Sequence, residues 1–193
     1  MTNHPIAAGR KPGVLNIMNN DYKLSIEYLK ECFVLENDGT LIWKERPDTH
    51  FSCRAKAITT NKQRAGKIAG VIGKDGYVIL RVRNRLYPAH IIVFAMHYGF
   101  WPDREIDHKD RKRLNNKPTN LRLASRYQNM ANMPAHKDNK TGFKGVHEHK
   151  PGIFRAKIRH NGRNIHLGLF KDAKSAHNAY KKAEVEFRGE FAT

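Results

Sequence analysis

The chain has 193 residues and carries 36 Lys and Arg against 18 Asp and Glu, a formal net charge of +18. Such an excess predicts a polyanionic partner. No apolar run approaches the roughly 18 residues of a membrane span, so no membrane partner is expected. The two cysteines are isolated in sequence, which excludes a CxxC zinc motif and a disulfide framework and favours a reducing compartment.

The positive charge is distributed unevenly. Residues 1–53 hold six Lys and Arg against seven acids, whereas residues 54–86 hold nine against one. Residues 87–133 hold eight against four, and residues 134–193 hold thirteen against six. Acids would serve solubility equally well, so a one-sided excess of cations after residue 53 favours nucleic-acid contact along most of the chain.

The first third predicts a short helix, a hairpin and a loop. Ser25 is a favourable N-cap for a helix with a single apolar stripe. Two apolar triplets, at residues 33–35 and 41–43, flank a turn-forming segment at residues 36–40 and predict a β-hairpin. Residues 46–65 show no clear period and are predicted to be a mobile loop.

Residues 66–87 predict a small β-sheet with one apolar face and one positive face. Its apolar residues are Val78, Leu80 and Val82, and its outward cations are Arg81 and Arg83, which we expect to face the polyanionic partner. Pro88 then begins a helix that carries His90, and Gly99 ends it.

The stretch from Asp107 to Asn132 carries the chemistry. Asp107 and His108 are adjacent, so on a strand their side chains point to opposite faces. Ser125 is a favourable helix N-cap, and Asn129, four residues later, is therefore expected on the first turns of that helix. A carboxylate and an amide oxygen are hard ligands that suit Mg²⁺ and not zinc, and a histidine can take a proton from water. The alternative is a surface loop rich in amides.

This segment resembles the HNH endonucleases, in the form found in phage and intron homing enzymes. The residues that carry the likeness are Ala89-His90, Asp107-His108, Asn115-Asn116, Asn120-Leu121-Arg122 and Gln128-Asn129. The resemblance implies a ββα-metal fold with His108 as general base, Asp107 and Asn129 as ligands of Mg²⁺ or Mn²⁺, and Asn120 as the catalytic residue that fixes the loop. It also implies a cytoplasmic, phage-encoded protein acting in a bacterial host. For His90, packing or phosphate contact is favoured over catalysis.

The last third predicts a second module. Residues 134–140 are polar and contain a proline, which is typical of a linker. Three short strands follow, joined by turns that include Asn161-Gly162, and Asp172 caps a long helix. In the middle strand Arg155, Lys157 and Arg159 alternate with apolar residues, so all three cations share one face. A solvated sheet face is the alternative interpretation.

Residues 139–192 resemble the ethylene-response-factor (AP-two) DNA-binding domain of plants. The likeness rests on Gly142-Phe143-Lys144-Gly145-Val146, Phe154-Arg155-Ala156-Lys157-Ile158, His166-Leu167-Gly168-Leu169-Phe170 and the small residues of the helix. The family's usual strand tryptophan is Phe154 here. The resemblance implies that the sheet binds duplex DNA through Lys144, His147, Arg155, Lys157, Arg159 and Arg163.

These observations predict an α+β protein with four parts: an N-terminal β-rich region at 1–65, a ββα-metal HNH module with a preceding sheet at 66–133, a linker at 134–140, and a three-stranded antiparallel sheet packed on one helix at 141–193. The predicted function is a metal-dependent DNA endonuclease of homing type, acting on double-stranded DNA and favoured as a monomer. The alternatives are a non-catalytic DNA-binding regulator that kept the fold and, more weakly, a structural or ribosome-associated RNA-binding protein, which would need a stacking platform that this chain lacks.

Overall fold

The computed structural model describes residues 23–192, and the chain divides into two compact units between Ala124 and Ser125. Small sheets alternate with short helices, so the α+β class is confirmed. Residues 1–22 of the expected N-terminal region lie outside the described part of the chain. Within residues 23–192, no helix combines the length and apolarity that crossing a membrane requires.

The first unit begins as its local signals predict. Helix α1 (Ile26–Cys32) starts at Ser25, whose hydroxyl accepts a hydrogen bond from the backbone N–H of Tyr28 at 3.1 Å. Strands β1 (Phe33–Leu35) and β2 (Leu41–Trp43) then pair antiparallel and form the expected hairpin.

The segment predicted to be a mobile loop is instead helical, so that prediction is wrong. A 3₁₀ turn at Asp48–His50 leads into helix α2 (Arg54–Arg64). Ala57 is the only residue of α2 that is buried. A helix that buries a single side chain needs no apolar stripe, so hydrophobic periodicity in the sequence gave no sign of α2.

A three-stranded antiparallel sheet and a buried helix complete the core of this unit. Strands β3 (Val71–Ile72), β4 (Val78–Val82) and β5 (Arg85–Pro88) lie in that order, and helix α3 (Ala89–Tyr98) follows directly. Every residue of α3 from position 89 to 95 is buried. The helix ends at Gly99, whose left-handed backbone, with φ of 80°, confirms the predicted stop.

The residues of chemical interest lie on a two-stranded hairpin at the end of the first unit. Strand β6 (Glu105–His108) pairs antiparallel with β7 (Leu121–Ala124), and residues 109–120 form the connection between them. Ile106 and Leu121 pack into the same hydrophobic core as α1 and α3. The hairpin is therefore anchored on the core by both of its strands.

The second unit contains a short helix, a sheet and a long helix. Helix α4 (Arg126–Asn132) precedes strands β8 (Val146–Lys150), β9 (Ile153–His160) and β10 (Arg163–Phe170), which lie in the order β10-β9-β8, and helix α5 (Ala173–Arg188) packs on them. This is the predicted three-stranded sheet on one helix, although β8 begins at Val146 and not at Phe143. Gly145 precedes the strand with φ of 75°, and glycine is required there because a Cβ would lie 2.1 Å from the ring of Tyr180.

The two cysteines differ in environment, and neither forms a disulfide. Cys32 is fully buried, and burial raises the pKa of its thiol. Cys53 is exposed and occupies the N-cap of α2.

Candidate functional site

Asp107 is held by an arginine on the neighbouring strand. The hairpin register places Asp107 directly opposite Arg122, so their side chains share one face. Nε and Nη2 of Arg122 donate to Oδ2 of Asp107 at 2.9 and 2.8 Å, and Asp107 is only 4% exposed. A carboxylate offers about four acceptor positions, so this clamp orients Asp107 and remains consistent with a role as a metal ligand. Sequence reasoning gave Arg122 no role, although the hairpin register would have identified it.

His108 is buried on the opposite face of the same strand and is held by an asparagine. Its Nε2 lies 3.0 Å from Oδ1 of Asn116, and both residues are about 5% exposed. An amide oxygen only accepts, so Nε2 of His108 donates, and the neutral ring carries its lone pair on Nδ1. Asn116 therefore sets the tautomer of His108, a role that was not assigned from the sequence.

Asn120 organises the connection between the strands. Its Nδ2 donates to Oδ1 of Asp110 at 3.0 Å and to the carbonyl of Asn115 at 2.7 Å, while its Oδ1 accepts from the backbone N–H of Asp110 at 3.1 Å. Burial raises the pKa of Asp110, but hydrogen bonds from Asn115, Lys112 and Asn120 outweigh it and leave the pKa below its ordinary value. These bonds fit the expected loop-fixing role of Asn120.

Two further parts of the first unit press on this loop. Gly39, in the turn between β1 and β2, has φ of +84°, and a Cβ there would lie 2.1 Å from the carbonyl oxygen of Asn116. On the other side Nη1 of Arg113 donates to the carbonyl of Asp75 at 2.6 Å, and its guanidinium lies 5.0 Å from the ring centre of Tyr77. The N-terminal hairpin and the β3–β4 turn thus both position the loop that holds His108.

His90 belongs to the packing around His108, which argues against the expected DNA contact. The two imidazole centres are 5.1 Å apart, and the ring of Tyr77 lies 5.2 Å from His90 and 5.9 Å from His108. His90 is 6% exposed, and its Nδ1 is buried without a hydrogen-bond partner. Burial lowers the pKa of His90 to about 3, with a smaller contribution from His108, so the ring is neutral at ordinary pH.

Asn129 lies on α4 and therefore belongs to the second unit. As predicted, Ser125 caps this helix: its hydroxyl accepts from the backbone N–H of Gln128 at 3.2 Å, and the Gln128 side chain accepts from the backbone N–H of Ser125 at 2.8 Å. Asn129 is half-buried. Seven residues are too few for a helix that is stable alone, so α4 depends on what it packs against.

The C-terminal module holds the far end of α4. The carbonyl of Ala131 accepts from Nζ of Lys144 and, at 3.4 Å, from Nη1 of Arg188. Glu184 is fully buried and balances these cations, with Arg188 at 2.8 Å and Lys144 at 3.6 Å. Lys144 is therefore engaged inside the unit, and this position argues against the DNA contact expected from the resemblance.

A positive face runs along the sheet of the second unit. Arg155, Lys157 and Arg159 are exposed while Ala156 and Ile158 are buried, which confirms that the three cations share one side. We call this the basic sheet face. His147 pairs with Arg155 across the sheet, and burial, followed by the charges of Lys157 and Arg155, lowers its pKa.

The strand register adds one residue to the basic sheet face and removes one that was expected there. His166 is exposed and lies opposite Lys157, so it joins this face although the sequence did not single it out. Arg163 is exposed but lies opposite His160, whose ring stacks on Phe187 of α5 at 4.8 Å. Opposed residues share a side of the sheet, so Arg163 belongs to the helix side, at the end of the hairpin.

The cations expected in the first unit, Arg81 and Arg83, are both exposed. Nη1 of Arg81 donates to the carbonyl of Asn84 at 3.4 Å, and the guanidinium of Arg83 lies 4.5 Å from the ring centre of Tyr28. Their DNA contacts stay a prediction.

Among residues 23–192 there is no cluster of three or more His, Cys, Asp and Glu side chains able to hold a metal ion. The donors predicted here are of another kind, one carboxylate and one amide oxygen. Such hard oxygen donors leave most of an octahedral shell to water and phosphate, and they fit Mg²⁺ or Mn²⁺.

One segment of the chain is similar to a known protein family. Residues 87–131 match the model of an HNH endonuclease family. An uncharacterized HNH endonuclease of Acanthamoeba polyphaga mimivirus is 30% identical over 122 residues, which are 63% of each protein. The HNH homing endonuclease I-HmuI, whose structure concerns DNA binding and cleavage, is 25% identical with a TM-score of 0.37, over 56% of this chain and 55% of that one. The chain thus spans less than two thirds of either relative, and the match to the HNH endonuclease model is confined to residues 87–131.

Proposed function

We propose that this protein is a metal-dependent DNA endonuclease of homing type that hydrolyses phosphodiester bonds. The observation that carries the proposal is the pairing of two oriented groups on one strand within the HNH segment: Asp107 clamped by Arg122, and His108 fixed by Asn116. Both side chains are nearly inaccessible, and each is held by its own hydrogen-bond partner. The side chains of an ordinary surface loop would be exposed, so this arrangement argues against that alternative.

His108 acts as the general base. Because Nε2–H of His108 donates its hydrogen bond to Oδ1 of Asn116, Nδ1 is the nitrogen that accepts a proton from the attacking water. The amide partner is neutral, so it fixes the orientation of the ring without adding a charge beside the base. Asn120 keeps the loop in place through Asp110 and Asn115, and so acts on the reaction by positioning Asn116 and His108.

Asp107 and Asn129 are the proposed metal ligands. They would hold Mg²⁺ or Mn²⁺, which would supply positive charge beside the phosphate and the leaving oxygen. Arg122 holds the Asp107 carboxylate in one orientation, and the capping box at Ser125 and Gln128 fixes the first turn of the helix that carries Asn129. The resemblance to HNH enzymes implies 5′-phosphate and 3′-hydroxyl products.

The second unit is the proposed site reader. Its three-stranded sheet on one helix has the architecture implied by the likeness to the ethylene-response-factor domain, and a two-stranded ribbon or small sheet fits the major groove. Arg155, Lys157 and Arg159, with His147 and His166, are the groups that would reach the DNA. Base-edge contacts discriminate between sequences, while phosphate contacts position the protein.

Nicking of supercoiled plasmid tests the proposed function. With Mg²⁺ or Mn²⁺ we expect open-circular product, and none after chelation with EDTA. His108→Ala should lower the rate about 10²–10⁴-fold, the usual cost of losing a general base, while DNA affinity stays the same. His136→Ala is the matched control, because His136 is an exposed histidine of the second unit. Undiminished nicking by His108→Ala, or metal-independent nicking, would contradict the assignment, and DNA binding without any nicking would favour the regulator.

A further inference from the structure

Helix α2 is an exception among the long helices of the first unit, because it buries almost nothing. Of its residues only Ala57 is buried, and the helix contains four cations and no acid: Arg54, Lys56, Lys62 and Arg64. Its one large apolar side chain, Ile58, is 60% exposed, and a helix with so polar a surface is ordinarily supported by pairs of opposite charge. Here the helix offers no such pairs, and the ion pair from Arg54 to Asp48 is exposed and 3.8 Å long, which contributes little.

Side-chain contacts nevertheless fix the position of α2 on the first unit. The side chain of Asn61 accepts from the backbone N–H of Arg46 at 3.2 Å and donates to its carbonyl at 2.8 Å. The guanidinium of Arg46 lies between the rings of Trp43 and Phe51, 4.7 and 4.6 Å from their centres. Since Trp43 is part of the hydrophobic core, α2 is fixed in orientation although it adds almost nothing to that core. Within residues 23–192, α2 therefore has a fixed orientation while most of its side chains stay exposed.

The exposed side of α2 has a composition that suits a groove. Ala55, Thr59 and Lys62 follow one another at helical spacing and are all exposed, opposite the side that carries Asn61 and Ala57. The Thr59 hydroxyl donates to the Ala55 carbonyl at 2.9 Å, so it projects little beyond the helix. Small side chains along the middle of a helix allow a partner molecule to approach the helix backbone closely. The longer lysine side chains beside them can contact the flanks of that partner.

The surrounding charge identifies the partner as a polyanion. Residues 54–86 contain nine Lys and Arg and a single acid, Asp75. An acidic protein could meet this charge, but the proposed function already supplies a polyanion in double-stranded DNA. The major groove, about 12 Å wide, admits an α-helix, and phosphates line both of its edges.

We propose that α2 enters the major groove of the DNA substrate, with Ala55 and Thr59 facing the bases and Lys56 and Lys62 facing the phosphates. This inference rests on the proposed function, because it takes the DNA substrate as the partner. It makes the first unit a second point of attachment to DNA, independent of the basic sheet face. Thr59 and Gln63 are both exposed and can hydrogen-bond a base edge.

Salt-dependent binding tests the phosphate contacts. The full chain with His108→Ala keeps the DNA intact, and its affinity for a long duplex is measured by fluorescence anisotropy across a salt series. In this background Lys56→Gln with Lys62→Gln should lower the steepness of log affinity against log salt by about 2, one for each lost phosphate contact. The matched control is Lys23→Gln with Lys30→Gln, which removes two exposed lysines of the same unit and should leave the slope unchanged. Equal slopes for the two pairs would overturn the inference.

Protection from dimethyl sulfate tests the groove, because the reagent methylates guanine N7 in the major groove. Ala55→Trp adds a large side chain at an exposed position, so the fold is preserved and close approach is blocked. We expect it to remove one patch of N7 protection and keep the patch made by the sheet. Unchanged protection would overturn insertion into the groove. If the parent protein binds no DNA at any salt concentration, the proposed function itself fails, which is a different outcome from two lysine pairs that behave alike.

Discussion

The hairpin of β6 and β7 and the helix α4 both lie within the segment that matches the HNH family, yet the protein supports them in different ways. Asp107 and His108 are buried on strands that pack into the core of the first unit. Asn129 lies on a seven-residue helix whose end is bound by Lys144 and Arg188 of the second unit. The family segment, residues 87–131, thus crosses the division at Ala124 and Ser125, so the unit of sequence similarity and the unit of folding do not coincide.

The largest effect expected from this difference is that of removing the C-terminal module. If this module only selected the site, deletion of residues 141–193 would leave weak nicking with relaxed site preference. The deletion also removes Lys144 and Arg188, so we expect α4 to unfold and nicking to fall below detection. Amide hydrogen exchange over residues 126–132 and plasmid nicking, measured together, test the expectation.

A pair of point variants separates the loss of the tether from the loss of the whole module. Lys144 and Lys181 both contact Glu184, at 3.6 and 3.2 Å, but only Lys144 also donates to Ala131. Lys144→Met should therefore accelerate exchange in α4 about 10-fold or more, the scale of one charge-assisted hydrogen bond, and Lys181→Met should not. Equal exchange in the two variants would show that α4 does not depend on Lys144.

A smaller effect is expected from disturbing the support of His108. Gly39→Ala forces a Cβ onto the backbone of Asn116, so the loop must shift and the rate of nicking should fall about 10²-fold without loss of DNA affinity. Gly66→Ala is the control, because Gly66 has φ of +77° and no neighbour within 4 Å. Both variants carry the same left-handed backbone cost of roughly 1–2 kcal/mol, and only the first presses on the site. Equal activity of the two variants would mean that the N-terminal hairpin does not position the loop.

The smallest expected effect concerns pH and the burial of His90. Its pKa is about 3 in the folded protein against an ordinary value of 6.5, so the unfolded chain binds the extra proton. Burial of the neutral His90 ring therefore costs no deprotonation energy above pH 6.5. As the pH falls from 6.5 towards 3, the free energy of unfolding decreases by up to about 1.4 kcal/mol per pH unit. Urea unfolding of the His90→Gln variant should show a flatter pH profile than the parent, whereas the exposed control His136→Gln should follow the parent. Identical profiles for all three proteins would show that His90 is not the group responsible.

Local signals in the sequence identified the elements whose causes are local. Ser25, Ser125 and Asp172 cap helices as expected, and Asn161 with Gly162 forms the hairpin turn, because each of these features depends on a few neighbouring residues. The buried faces of β4 and β9 followed from strand alternation for the same reason.

Features that depend on distant partners could not be read from the sequence. Helix α2 has no apolar stripe, so nothing in its own pattern revealed it. The clamp from Arg122 to Asp107, the bond from Asn116 to His108 and the separation of Arg163 from the basic sheet face all require a strand register or a loop path. Lys144 was expected at DNA from the resemblance, and His90 was expected to pack or to contact phosphate. The fold instead engages Lys144 with Glu184 and buries His90, which depends on residues distant in sequence.

The contrast between the two cysteines allows the protein to be labelled selectively beside helix α2. Cys32 is fully buried, with a thiol pKa raised by that burial, whereas Cys53 is exposed at the N-cap of α2. A maleimide or an iron-chelate reagent should therefore react at a single position of the native protein, without any substitution. Strand scission from a chelate on Cys53 would report which base pairs lie beside α2, and a fluorophore there would report when that part of the surface becomes covered.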